Sequence, residues 1–397
     1  MSQPPTLAQD IQQIEAAHSS GFYSKRPLTL VRGAGSTVWD DAGNAYLDCT
    51  SGMGVALLGH AHPAVAAAVA QQAQTLITCP EIFYNDRRAE LYTRLQRLLP
   101  EGLDRFFLCN SGAEAVEGAL KVARLLTGRR GIIAVKRSFH GRTLGALATT
   151  WNPQYRAPFE GWMPTDVQFI SPNDAEELRQ AITSESAAVI VEAVQGEGGV
   201  YPLDPAYLQT LRQRCTETGT LLILDEIQAG LGRTGRWFGF QYADIAPDIV
   251  TLGKGIAGGV PMGVVIWRSA LGTVESGTHG STFGGNPLAA AAAVAALDTL
   301  ISIDAPTRSA ELGTWLLDEL RARNLPGVRE LRGQGLLVGL ELRGRVTPVI
   351  QALQARGVLA LVAGKTVLRL LPPLIIEREE LRRVVDAVEE ALRDARN

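Results

Sequence analysis

The chain has 397 residues, of which 46% are hydrophobic and 20% charged, with a formal net charge of −3. That length suits two domains, or one large domain with a smaller one attached, around a sizeable core. The slight negative charge gives no footing for nucleic acid.

The stretch Met1 to Gln9 lacks a basic start followed by an apolar run, so no signal peptide is read. Leu7, Ile11 and Ile14 stand at helical spacing and predict a short amphipathic helix. Thr37-Val38-Trp39, a turn through Asp40 to Asn44, and Tyr46-Leu47-Asp48 predict a β-hairpin. From about Leu103 short apolar runs alternate with helical patterns: Arg105–Cys109, Gly131–Val135, Val167–Ile170, Ala187–Val191, Leu221–Leu224, Ile249–Leu252 and Gly263–Trp267. Several are apolar throughout, as strands buried on both faces of a parallel sheet must be. Pro287 to Leu300 is interrupted by Asp298 and is too short to span a bilayer, so it reads as a buried helix. After Pro306 the order is helix, strands, helix, strand, helix, with Pro372-Pro373 breaking the chain before the last helix. The expected fold class is α/β: a large domain over residues 61–305 with a mostly parallel sheet, and a small α+β domain over 306–397. Residues 1–60 are expected to join the small domain. Cys49, Cys79, Cys109 and Cys215 lie far apart, with neither metal-ligand spacing nor a disulfide framework. A cytoplasmic protein with reduced thiols and no bound metal is expected.

Several motifs carry chemistry. The apolar run Leu221 to Leu224 delivers Asp225 to a strand's carboxyl end, where doubly wound sheets bind ligands. An NTPase strand looks the same, but it needs a glycine-rich phosphate loop that the chain lacks. Lys254 follows another apolar strand and sits between Gly253 and Gly255. Burial there would favour the neutral amine, a nucleophile able to form a Schiff base. A solvated loop lysine is the plain alternative. Ser111-Gly112-Ala113-Glu114 opens a helix whose free N–H groups suit an anion, or is an ordinary Ser111 cap. Phe139 could stack on a flat ring or belong to the core. The loop His279 to Pro287 offers hydroxyls at Ser281 and Thr282. His60 and His62 lack a third ligand at metal spacing and read as a structural turn. Together these features fit pyridoxal 5'-phosphate, which needs a lysine, a carboxylate on its ring nitrogen and a phosphate cup.

The sequence resembles the class III aminotransferases of the fold-type-I pyridoxal-phosphate enzymes over nearly its whole length. The likeness includes Leu58 to Pro63, Ser111 to Ala115, Asp225 to Gln228 and Thr282 to Pro287. It implies Lys254 as the Schiff-base lysine, Asp225 as the ring-nitrogen partner, Gln228 at the ring hydroxyl and Phe139 on the ring. Ser111, Gly112, Ala113, Glu226 and Ile227 complete the cofactor set. Thr282 would reach the phosphate of a neighbouring subunit, which implies a homodimer with shared active sites. Gly21 to Lys25, Trp151 to Phe159 and Leu368 to Leu374 resemble the acetylornithine aminotransferase subgroup. They match more closely the transaminases that act on aminoadipate semialdehyde linked to an acidic amino-group carrier protein in lysine biosynthesis. The resemblance gives Arg369 as the clamp for glutamate's α-carboxylate and Glu197 as the group that masks it. Tyr23, Arg142 and Ser281 are implied on the other substrate. The implied exchange is between a terminal amine and 2-oxoglutarate.

Overall fold

The computed structural model describes residues 7–395, so most of the stretch read as carrying no signal peptide lies outside the described residues. In chain order the strands are β1 Leu30–Ala34, β2 Thr37–Asp40, β3 Ala45–Asp48, β4 Leu103–Cys109, β5 Gly131–Val135, β6 Val167–Ile170 and β7 Ser186–Val191. Then come β8 Val194–Gln195, β9 Tyr201–Pro202, β10 Leu221–Asp225, β11 Ile249–Leu252 and β12 Gly263–Arg268. The last five are β13 Val328–Gln334, β14 Leu337–Leu342, β15 Val358–Leu359, β16 Leu361–Ala363 and β17 Val367–Leu370.

The apolar runs assemble as a seven-stranded sheet in the order β4-β12-β11-β10-β7-β5-β6. Its pairings are parallel except for β12, which runs antiparallel to both neighbours. Every residue of β7, β10 and β11 is buried, which explains why these strands show no alternation. Helix Gly112–Thr127 packs across β12, β11 and β7 on one face. Its start is set by the Ser111 hydroxyl, which accepts the Glu114 N–H, and its end by Gly128 in the left-handed region. The alanine-rich helix Pro287–Ser302 is buried over most of its length and packs on helices Pro63–Ala73 and Asp86–Leu98. Among the described residues no single helix is long and apolar enough to cross a membrane.

The C-terminal part builds a second sheet, β13-β14-β17-β16, with helices Ala305–Ala322 and Thr347–Ala355 against it and Arg378–Asp394 packed on those two helices. One strand was expected before the last helix; three short ones occur, because two or three residues are too few to show a period. The expected hairpin is β2–β3, with Val38 opposite Tyr46. Strand β15 then pairs in parallel with β3, Val358 opposite Leu47, and so ties the N-terminal segment to the C-terminal one. Between the two sheets, the fully buried Arg233 donates to the carbonyls of Leu336 and Pro372.

Candidate active site

Because β4, β5, β7, β10 and β11 all run one way, their carboxyl ends open on a single edge. A cavity of about 250 Å³ lies there, lined from the helix start after β4 by Gly112 and Ala113, and after β5 by Phe139 to Arg142. Glu192 and Glu197 follow β7, Asp225, Ile227 and Gln228 come from β10, and Lys254 stands just past β11. The strand-end rule of parallel sheets thus operates five times at one place.

Asp225 is buried and tightly held. Its Oδ1 accepts the Ile227 N–H at 3.0 Å and the Thr251 hydroxyl at 3.3 Å, while Oδ2 lies 2.7 Å from His140 Nδ1. Lys254 adopts φ +45°, a strained conformation for a non-glycine residue. The turn also demands glycine before it: a Cβ on Gly253 would lie 3.1 Å from Gly112 Cα. Burial lowers the Lys254 amine from its ordinary value, Arg369 lowers it further, and Glu197, Glu192 and Asp225 oppose the shift. The net effect favours a neutral amine.

Arg369, on β17, is fully buried. It donates through Nη2 to Glu197 Oε1 at 2.7 Å and through Nη1 to Gln228 Oε1 at 3.1 Å. Gly196 is what lets Gln228 in, since a Cβ there would strike the Gln228 side-chain oxygen. Arg142 stands at the mouth, stacked 3.5 Å over the Tyr155 ring and 5.6 Å from that of Phe139.

Several expected residues are not brought to this cavity. The Ser111 hydroxyl is used as a helix cap. Glu226 turns away and accepts the N–H groups of Gly239 and Phe240; burial raises its carboxyl to about 8, against those two bonds. Ser281 accepts from Asn110 Nδ2 at 3.1 Å and lines a separate hollow of about 330 Å³ with Glu114, Glu117, Lys121 and His279. Thr282 is exposed in its loop, and Tyr23 is 83% exposed. His60 is engaged by Asp48 at 2.7 Å, which fits the structural turn.

Several arginines that could draw an acidic partner are engaged elsewhere. Arg129 and Arg130 stand at the amino end of β5, bound to backbone carbonyls and to Asp166. Arg88 is buried against the carbonyls of Cys79 and Gly285, and Arg87 pairs with Glu90. Two site residues escaped the sequence reading, His140 and Glu192. Glu192 directly follows the all-buried β7, so the rule that singled out Asp225 applies to it equally.

The residues fit pyridoxal phosphate. The cavity offers one amine in apolar surroundings, a buried carboxyl, and the first N–H groups of a 16-residue helix, which lack helical acceptors. The cradle is glycine-lined, for a Cβ on Gly112 would fall 2.9 Å from the Ile227 side chain. Phe139 and Ile227 supply apolar wall for a flat ring. A parallel-rich sheet whose strand ends gather these groups makes the chain a fold-type-I enzyme dependent on pyridoxal phosphate, an aminotransferase. It belongs to the class-III aminotransferases, whose family model matches residues 21–392. The chain is 46% identical over 381 residues to the LysW-aminoadipate semialdehyde transaminase of Deinococcus radiodurans, covering 95% of this chain and 89% of that one. It is 42% identical to the acetylornithine aminotransferase of Methanosarcina mazei, covering 93% of each. Among solved structures it resembles the ornithine aminotransferase of Toxoplasma gondii, described with pyridoxal phosphate at its active site. The TM-score is 0.93 at 33% identity, over 98% of this chain and 94% of that one.

Proposed function

We propose that the enzyme moves a terminal amino group between an N-blocked basic amino acid, lysine carried on an amino-group carrier protein, and 2-oxoglutarate, in lysine biosynthesis. The observation that carries this reading is the buried Arg369 with Glu197 laid across it at 2.7 Å. A planar guanidinium grips glutamate's α-carboxylate in two bonds. Left bare, it would also draw the wrong end of a substrate whose terminal amine must reach the cofactor. Glu197 masks it for one half-reaction and swings aside for the other. The likeness to the Deinococcus transaminase supports the carrier-linked substrate.

Bound pyridoxal phosphate supplies an aldehyde that takes up the amino group and a ring that draws electrons from the substrate carbon. Lys254 Nζ would hold the cofactor through its aldehyde and, when free, would accept a proton from the substrate carbon; the lowering of its amine by burial keeps it able to do so. Asp225 would pair with the ring nitrogen, Gln228 with the ring hydroxyl, and the Gly112 and Ala113 N–H groups with the phosphate. Phe139 would stack on the ring. Arg142 holds the far carboxylate of the amino donor.

The same reading makes the enzyme a homodimer. Ser281, Thr282 and Tyr23 serve the partner's cavity rather than their own, which accounts for their distance from it. Exposed apolar groups support this: Ile82 and Phe83 are 82% and 62% exposed, Phe283 60%. Arg88 ties their two loops together by donating to the carbonyls of both Phe83 and Gly285. The cofactor domain is taken as residues 61–305, with 306–397 and 1–60 forming the smaller part.

Acetylornithine is the rival substrate, favoured by the Methanosarcina relative. Comparing kcat/KM on carrier-linked lysine and on acetylornithine, at low and high salt, decides between them. Preference for the carrier-linked substrate that weakens with salt is expected. A preference for acetylornithine without any salt effect would leave the enzyme in arginine biosynthesis.

A further inference from the structure

One wall of the cavity carries a cluster of which the reaction as described uses Asp225 alone. One oxygen of Glu192, one nitrogen of His140 and one oxygen of Asp225 lie within 4.8 Å of one another, and all three residues are buried. Glu192 Oε1 accepts the Phe139 N–H at 3.4 Å, but Glu192 Oε2 and His140 Nε2 have no partner. Buried polar atoms left unmatched in this way are uncommon, and two in one cluster call for an explanation.

The charges facing Glu192 supply it. On its own loop stands Glu197, and that carboxylate is already matched by Arg369 of β17. From the end of β10 comes Asp225, and from the turn after β11 Lys254, whose amine burial drives toward the neutral form. From the segment after β5 come His140 and Arg142, the latter exposed and stacked on Tyr155. Lys254 is the one cation among these that favours an ionised Glu192, and it is shared among Glu192, Glu197 and Asp225, so it does not match a second buried carboxylate beside Asp225. Two carboxyl groups so placed resolve the conflict by keeping one proton between them.

We propose that Glu192 stands in the enzyme as a neutral carboxylic acid, a positioning residue that keeps a proton beside His140 and leaves Asp225 the one ionised carboxyl of the cluster. His140 Nδ1 then donates to Asp225 Oδ2, at the observed 2.7 Å, and its Nε2, which has no other partner, is left free to accept the acid proton of Glu192. Asp225 is thereby held as an acceptor toward the cavity. The direction of the Glu192 shift agrees: burial raises it well above the ordinary value, and Asp225 raises it further. The proposal rests on the reading of Asp225 as partner of the cofactor's ring nitrogen.

The test is spectroscopic and is made on the holoenzyme near neutral pH. In an infrared difference between the parent and Glu192→Gln, the expected signal is a protonated-carboxyl C=O band lost with Glu192; the acid band of Glu226 cancels. A carboxylate pair of bands in its place would overturn the proposal. If Glu192→Gln does not fold, glutamate-labelled enzyme is read by carbon NMR instead. In a Glu226→Gln background, which removes the other raised carboxyl, one side-chain carboxyl is expected to remain protonated at neutral pH, and finding none would overturn it. Nitrogen NMR adds the positioning readout: His140 is expected to carry its proton on Nδ1 in the parent and in Glu192→Gln, whose amide still donates. In Glu192→Leu Asp225 still holds the Nδ1 proton, but Nε2 loses its donor and its nitrogen resonance is expected to shift; an unchanged Nε2 resonance there would remove the positioning role. Asp225→Ala separates the two levels. If that variant retains cofactor unchanged, the ring-nitrogen pairing fails while the acid band of Glu192 stands or falls alone.

Discussion

Glu197→Ala probes the two-carboxylate logic most directly. Removing one member of a fully buried ion pair costs about 3–5 kcal/mol, because the other charge is left uncompensated. Two features of this pair reduce that figure. The Glu197 side chain is 25% exposed, so solvent already screens it, and Gln228 Oε1 stays 3.1 Å from Arg369 after the change. The remaining loss is about 1–2 kcal/mol. In the parent enzyme glutamate must displace Glu197 before its α-carboxylate can take Arg369; in the variant it need not. Glutamate's kcat/KM is therefore expected to rise about 5–30-fold, the same energy expressed as a ratio. The amino donor is expected to lose rate, since its far carboxylate now competes for the bare arginine. Single-turnover measurements with each substrate separately give the two numbers. If both half-reactions change by the same factor and in the same direction, Glu197 is not a mask and the argument fails.

Two other outcomes follow from the geometry. Lys254→Ala is expected to abolish the visible absorbance of lysine-bound cofactor and all turnover while far-ultraviolet dichroism is unchanged; measurable transamination would unseat Lys254. Stability is expected to fall as pH rises from about 4.5 to about 8. The unfolded chain ionises Glu226 near its ordinary 4.5, whereas the folded protein keeps the proton up to about 8. Folding thus binds more protons across that window, with a slope from this group of at most about 1.4 kcal/mol per pH unit, and its stabilisation is complete only below it. Urea melts at several pH values check this, and a Glu226→Gln variant with an unflattened slope would count against it.

Much of this was legible in the residues alone. The seven strands of the large sheet were foreseeable because burial on both faces leaves an unbroken apolar run, and the runs end where Asp225 and Lys254 begin. What a linear reading does not carry is side-chain direction. Glu226 is adjacent to Asp225, yet successive residues past a strand point to opposite sides, and Glu226 is taken up by the turn at Gly239. The Ser111 hydroxyl was open to two uses, and the helix start claims it. His140 and Glu192 were missed for a different reason. Neither stands out beside its neighbours, and only the folding of β5, β7 and β10 into one edge brings three titratable groups within 4.8 Å.

The pairing of β15 with β3 bears on how the protein comes into being. Leu47 and Cys49 donate their backbone N–H groups to the carbonyls of Gly357 and Leu359, about 310 positions further along. During synthesis the hairpin β2–β3 emerges early, with one edge open, and it must wait for nearly the whole chain before that edge is covered. An uncovered edge invites pairing with other chains. Closing so long a loop makes this the slow, late contact of folding. Shortening the chain before Val358 would strand the hairpin as an aggregation-prone edge, even though the large sheet, complete by Arg268, would already have formed.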